Sequence, residues 1–297
     1  MIHVMALLAV AALGAASSLV STFNGVIGMR LGPLRAAWIF MSVGAVLALG
    51  AVAATERHVF DLSVITSLPL HAAAPGLLNT IAVATVIRVV SVIGTMQTVA
   101  TVFSGSVLVG ITLDHVGAFN LPAVPSSPVR IAGAILLVSA VTLLAGAHRR
   151  RSADDAPISI PATLAAFSVG AMDNVAMAIN ADVATTAGPF TATVAFLLPG
   201  AIIIPFLQRR RERFALRGVR PGDLLPGAYN VIAVAASALL IPVVGLHLTN
   251  GTRFASAIVV GSVLDHFGVF GATTFRWTRP RAAATIMLVA GVFVSTL

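Results

Sequence analysis

The sequence predicts an all-α integral membrane protein of ten transmembrane helices, arranged as two inverted five-helix repeats. Three observations predict it. The chain is 58% hydrophobic and only 9% charged, with a mean hydropathy of +1.00, whereas water-soluble domains are about one-quarter charged. Its apolar runs are each about 20 residues long, the length an α-helix needs to cross a bilayer core. One pattern also occurs twice: Leu113-Asp114-His115-Val116-Gly117-Ala118-Phe119 returns 151 residues later as Leu264-Asp265-His266-Phe267-Gly268-Val269-Phe270. A period that long marks a duplicated module and not a solenoid of short repeats.

Spans are expected at about 4–27, 34–54, 70–93, 96–117 and 129–147 in the first half, and at about 158–180, 189–207, 223–244, 247–271 and 280–296 in the second. Backbone polar groups have no water partner in lipid, so runs of this length are helices. Met1 to Ser18 lacks the positive start of a signal peptide, and Asn24 to Gly44 has a counterpart in the second half, so the first run is the first span of the module. Asn24, Gly32-Pro33, Phe40 and Gly44 map at an offset of 156 onto Asn180, Gly188-Pro189, Phe196 and Gly200. In the third and fourth spans the offset is 151: Pro75-Gly76, Asn79, Gly94 and Asp114 map onto Pro226-Gly227, Asn230, Gly245 and Asp265. The domains follow as residues 1–147, a cytoplasmic linker 148–157, and residues 158–297.

Five spans per copy force the second copy through the membrane upside down. With the N-terminus outside, fourteen arginines, among them Arg30, Arg35, Arg149 to Arg151 and the run from Arg209 to Arg220, fall in cytoplasmic loops. Three, Arg57, Arg130 and Arg253, fall outside. The positive-inside rule therefore places both termini outside a cell membrane, with Trp38, Tyr229 and Trp277 at the cytoplasmic interface. The Arg209 to Arg220 run reads as an anchor to anionic headgroups and not as a nucleic-acid site.

Several chemistries are excluded. There is no cysteine and no lysine, all eighteen basic side chains being arginine, which removes thiol chemistry and the Walker A phosphate loop. His3, His58, His71 and His247 show no ligand spacing, so neither a metal nor a cofactor is expected. Gly105-Ser106 and Gly261-Ser262 lack the nucleophile-elbow context of a hydrolase. The chain reads as a non-enzyme whose partners are the bilayer and a small solute; monomer and homodimer both stay open.

Asn24, Gly32-Pro33 and Phe40-x-x-x-Gly44, together with the repeated Leu-Asp-His-x-Gly-x-Phe, resemble the YdcZ-type branch of the drug/metabolite transporter superfamily, in a fused two-module form. Relatives carry a Gln one turn before the first-span Asn, where this chain has Val20 and Ala176. The resemblance implies a ten-helix secondary carrier working by alternating access, with or without proton coupling.

Site residues follow from the cost of placing ionisable groups in lipid, about 2.5 kcal/mol or more each. Asp173 lies near the middle of the sixth span, with Ala176, Met177 and Asn180 on its face. The matching first-span stripe is Ser17, Val20, Ser21 and Asn24. These two stripes, only one with a carboxylate, are expected to line a central cavity with Asp173 binding a proton or a cationic solute, the alternative being that Asp173 bonds to neighbouring hydroxyls or to Asn174 and fixes helix packing. Asn79 and Asn230 either line the cavity too or satisfy backbone freed by the neighbouring prolines. Asp114-His115 and Asp265-His266 stand at opposite faces of the bilayer, as two polar gates or as capping pairs. Small residues below each Asp, at Ser106 and Gly110 and at Ala257 and Gly261, are expected to let the fourth and ninth spans pack on each other. Arg88 is expected to snorkel to the cytoplasmic interface. The expected solute is a small metabolite or drug-like molecule, cationic or amphipathic. The alternatives are a lipid-linked substrate or a non-transporting membrane scaffold.

Overall fold

The computed structural model describes residues 2–56, 70–93, 95–149, 159–207, 218–267 and 279–295. The helices, in order, are α1 (Ile2–Leu31), α2 (Pro33–Ala51), α3 (Ala74–Ile93), α4 (Thr95–Val116), α5 (Pro128–Arg149), α6 (Ile160–Ala187), α7 (Pro189–Leu207), α8 (Leu225–Val244), α9 (Leu246–Phe267) and α10 (Arg279–Ser295), and a π-helical stretch Val52–Glu56 prolongs α2. Each overlies one expected span. Among the described residues, seven helical stretches are long and apolar enough to cross a membrane, and Pro128–Leu143 and Ala282–Val294 are shorter apolar helices. The remaining helix, α9, carries His247, Asn250 and Arg253 and is more polar. Most of the expected linker, Gly94, Trp277 and the arginines from 209 to 217 lie outside the described residues.

Two expectations about boundaries are corrected. The sixth span was expected to stop near residue 180, but α6 runs on to Ala187 and takes Asp182 inside the bundle, 3% exposed. Arg253 was assigned to an outside loop; it lies eight residues into α9.

The repeated Gly-Pro pair is a helix stop followed by a helix start. Gly32 and Gly188 have φ of +90° and +96°, a region that a side chain rarely enters and glycine enters freely. The prolines behind them open α2 and α7, where the missing N–H is an orphan in any case. The repeated Pro-Gly works the same way: Pro75 and Pro226 sit in the first turns of α3 and α8. They break no backbone bond there, so Asn79 and Asn230 are not needed to repair one.

Helix ends give the relative sense of the halves. The end of α4 meets the start of α9, through Asp114 and Leu246, and the end of the α2 stretch meets the start of α7, through Glu56 and Phe190. Equivalent helices thus run antiparallel, which is the expected inversion. The packing repeats with it: α1 on α9 matches α6 on α4, α1 on α8 matches α6 on α3, and α2 on α8 matches α7 on α3, while α2 on α7, α4 on α9 and α5 on α10 are self-matching.

On the pseudo-twofold axis, Phe103 and Phe254, which are equivalent residues, meet edge to face with ring centroids 5.3 Å apart. They sit in an apolar cluster of α4, α5, α9 and α10 built on Leu137, Val107 and Leu288. So α4 and α9 do pack together, and Gly110, one of the small residues expected to let them, faces the His247 backbone of α9 as well as Asn174 of α6, whereas Gly261 faces Ser18 of α1.

Gly14 and Gly170 make the tightest of these crossings. A β-carbon on Gly170 would stand 1.9 Å from the Val102 carbonyl oxygen, and one on Gly14 would stand 2.2 Å from the carbonyl oxygen of the equivalent Arg253. Backbone cannot yield as a side-chain tip can. Gly170→Ala is therefore expected to destabilise by about 1–3 kcal/mol, measured as a lowered midpoint in detergent thermal unfolding, while Gly25→Ala, with nothing within 4 Å, leaves it unchanged.

Candidate functional site

Halfway along α6, Asp173 points away from lipid. The exposed side of that helix runs through Leu164 and Ser168, and Asp173 lies about 140° around the axis from Ser168 at 3.6 residues per turn. Its side chain is 27% exposed on the inward side, and its Oδ2 lies 3.8 Å from an Nη of Arg253, itself 19% exposed. The guanidinium also stands 5.5 Å from the Phe254 ring. The lone carboxylate expected from the sequence is thus one half of an ion pair, and a purely cationic solute would have to displace Arg253.

Around this pair lies a layer of polar side chains. Asn174 donates to the Ser106 carbonyl (2.7 Å) and to its hydroxyl, and accepts from Asn250 Nδ2 (2.6 Å), which joins α4, α6 and α9. Ser17, the counterpart of Asp173, bonds to the Tyr229 hydroxyl at 2.8 Å, and that hydroxyl donates to the Leu13 carbonyl. Tyr229 was expected to anchor at the interface; its tip instead reaches the middle of α1. Trp38, expected likewise, donates to the Ala201 carbonyl at 3.1 Å across the α2–α7 contact.

The other expected site residues divide. Ser21 is exposed, and Asn24, Asn79 and Asn230 are half-buried. Met177 and Asn180 are fully buried, Met177 inside an apolar cluster with Phe196, Val234 and Ile241. Arg88 is exposed. Asn174, Asn250, Arg253, Asp182 and His71 had not been selected as site residues. Asp173 and Arg253 carry a signal that could have paired them: each replaces an uncharged counterpart, Ser17 and Val102, and the two signs are opposite.

The expected Asp-His latch is not assembled in the first half. Asp114 is buried and accepts from the backbone N–H groups of Leu246 (2.7 Å) and His247 (2.8 Å), so it caps the start of α9, with Arg130 3.9 Å away. A carboxylate there answers orphan N–H groups and the positive end of the helix dipole. His115 turns away, is exposed, and its Nδ1 accepts from Ser126 N at 3.1 Å. The side chain of Asp265 lies outside what is described, and the exposed His266 stacks edge-on against Phe267 at 5.0 Å.

Two further ionic contacts tie helix pairs. Asp182 of α6 lies 3.0 Å from His71 Nε2, just before α3, and accepts from Asn120 Nδ2 at 3.1 Å. At the opposite end of the bundle, Arg30 of α1 reaches both carboxylate oxygens of Asp223, just before α8, at 2.5 Å. Equivalent helix pairs are tied at the two ends, each tie crossing between the halves, with acid and base exchanged.

The halves differ in burial. Asn174 and Ala176 to Ala184 of α6 are all buried, whereas in the equivalent stretch of α1 Leu19, Ser21 and Gly25 are exposed and Asn24 half-buried. The cause lies in packing: α6 rests on α8 and touches α9, while α1 makes no comparable contact with α3 or α4 among the described residues. The bundle is closed toward Asp182 and Asp114 and more open toward Arg30, with the Asp173–Arg253 layer between.

A family model described as "Putative inner membrane exporter, YdcZ" matches residues 4–143 and again residues 161–294. No curated protein matches the chain. A solved structure described as "Crystal structure of protein" superposes with a TM-score of 0.69 over 98% of this chain and 95% of its own, at 16% identity. That is a likeness of fold.

Proposed function

The chain belongs to the YdcZ family, and from that premise we propose that this multi-pass membrane protein carries a small solute by alternating access, with Asp173 and Arg253 as its charged centre. One observation carries the reading. Two antiparallel copies of one module differ in burial at equivalent positions, closed around Asn180 and open around Asn24, and exchanging their conformations would generate the opposite-facing state from the same contacts. The arginine count puts the open end, at Arg30, on the cytoplasmic side.

The pair at mid-depth narrows the solute. Intramembrane charges are retained where they pair or act; this one pairs, and its 3.8 Å separation and partial exposure leave room for a solute to take over either partner. A proton on Asp173 would weaken its hold on Arg253, which gives coupling a place to act. A small zwitterionic or amphipathic solute fits this arrangement better than a simple cation. A lipid-linked substrate or a scaffold role has no comparable observation in its favour.

The test is reconstitution into liposomes holding a pH-sensitive dye under an imposed pH gradient, challenged with a panel of cationic, zwitterionic and amphipathic solutes. Solute-dependent collapse of the gradient is the expected result. Radiolabelled panel members that accumulate no faster than in empty liposomes, with or without the gradient, would overturn the carrier reading.

A further inference from the structure

The buried polar atoms with no hydrogen-bond partner among the described residues include both amide atoms of Asn180 and the hydroxyl of Ser237. They belong to α6 and α8, whose contact closes the Asp182 end and has no comparable counterpart between α1 and α3 among the described residues. Resting on the carrier reading above, we propose that these two side chains form the wall of the pathway's closed half, dry in this state and hydrated when that end opens.

Depth and direction support it. Asn180 and Ser237 each lie seven residues from the ends of α6 and α8, about 10 Å of helix rise. They share one layer between the closed end and the Asp173–Arg253 pair, whose own layer begins at Asn174, six residues back along α6. Asn180 is on the α6 face that carries Met177, and Ser237 follows Val234 by one turn on α8; Met177 and Val234 pack in one cluster.

An unsatisfied buried polar group costs about 1–3 kcal/mol, and a permanent core would replace such groups with apolar ones. A wall that must be wet for part of a cycle cannot. Asn24, the counterpart of Asn180, already stands half-exposed at the open end, which is the environment that exchange of the halves would give to Asn180. The wall offers an amide and a hydroxyl but no charge, so a solute passing it is held through neutral hydrogen-bonding groups, and charge is read deeper in the bundle.

Because the chain has no cysteine, single cysteines can be labelled without background. Asn24→Cys, Asn180→Cys and the near-isosteric Ser237→Cys are treated with a membrane-impermeant maleimide in right-side-out and inside-out vesicles, with denatured protein as the full-labelling reference. Asn24→Cys is expected to react from the Arg30 face. The other two should react from the opposite face alone, and about 10- to 1,000-fold more slowly, as for a minor state populated at 0.1–10%. A second change, Ala181→Phe, wedges α6 off α8 and should speed positions 180 and 237 while slowing position 24.

If positions 180 and 237 stay unlabelled from both faces, wedge included, or label from the Arg30 face, the wall assignment is wrong. If instead position 24 labels equally from both faces, or from neither, it is the carrier reading that fails.

Discussion

Asp173→Asn is expected to lower solute-driven proton flux in proteoliposomes at least about tenfold, the effect of losing an interaction worth roughly 1.4 kcal/mol. The carboxamide keeps the shape and hydrogen-bonding capacity of the side chain and removes its charge and its titration. Arg253 is then left at mid-depth without its counter-ion, which is costly in lipid, so the single variant should also unfold at a lower temperature. The double variant Asp173→Asn with Arg253→Gln removes that cost. Its stability should return toward the parent while its transport stays at the reduced level of the single variant. A structural role for the pair predicts the opposite coupling, in which transport recovers along with stability. Undiminished pH-driven flux in Asp173→Asn would remove the residue from the mechanism.

Asp114→Ala is expected to cost about 2–4 kcal/mol of stability, because it combines the loss of a helix cap with a buried arginine left beside an empty position. Asp114 accepts both N–H groups at the start of α9, and Arg130 is only 9% exposed. Asp114→Asn keeps one acceptor and should cost less than half as much. His115→Ala, whose ring holds a single exposed contact to Ser126 N, should be nearly silent. Thermal unfolding in one detergent ranks the three. Were His115→Ala to match Asp114→Ala in its effect on either stability or transport, the two would be working as a pair after all, and the capping account would fall.

Most of the fold was legible because its determinants are local. Each span declares itself by length and apolarity, each Gly-Pro by its helix stop and start, and the inversion follows from an odd span count. The site was legible only in part. Asp173 stood out by cost, but its partner did not, because Arg253 sits near the start of a span where a sequence reading places interfacial residues. Asp182 was lost for the same reason: a carboxylate after a long apolar run looks like the end of a helix, but α6 continues past it, and His71 and Asn120 bond to its side chain. Asp114 looked like half of an Asp-His pair since the residues are adjacent in sequence. Successive helical positions lie about 100° apart, which turned one inward to α9 and the other out to the following loop. Contacts between residues far apart in the chain, such as Asn174 with Asn250, carry no periodic signature at all.

The most direct measurement of alternating access uses two spin-label pairs on the cysteine-free chain, one across each end of the bundle. Met29 on α1 with Val92 on α3 reports the Arg30 end, and Thr186 on α6 with Val243 on α8 reports the Asp182 end; all four side chains are exposed. As pH or an active solute shifts the populations, the account predicts that one distance distribution lengthens while the other shortens. Distances that move together, or a Thr186–Val243 distribution that never leaves its closed value while transport proceeds, would contradict it.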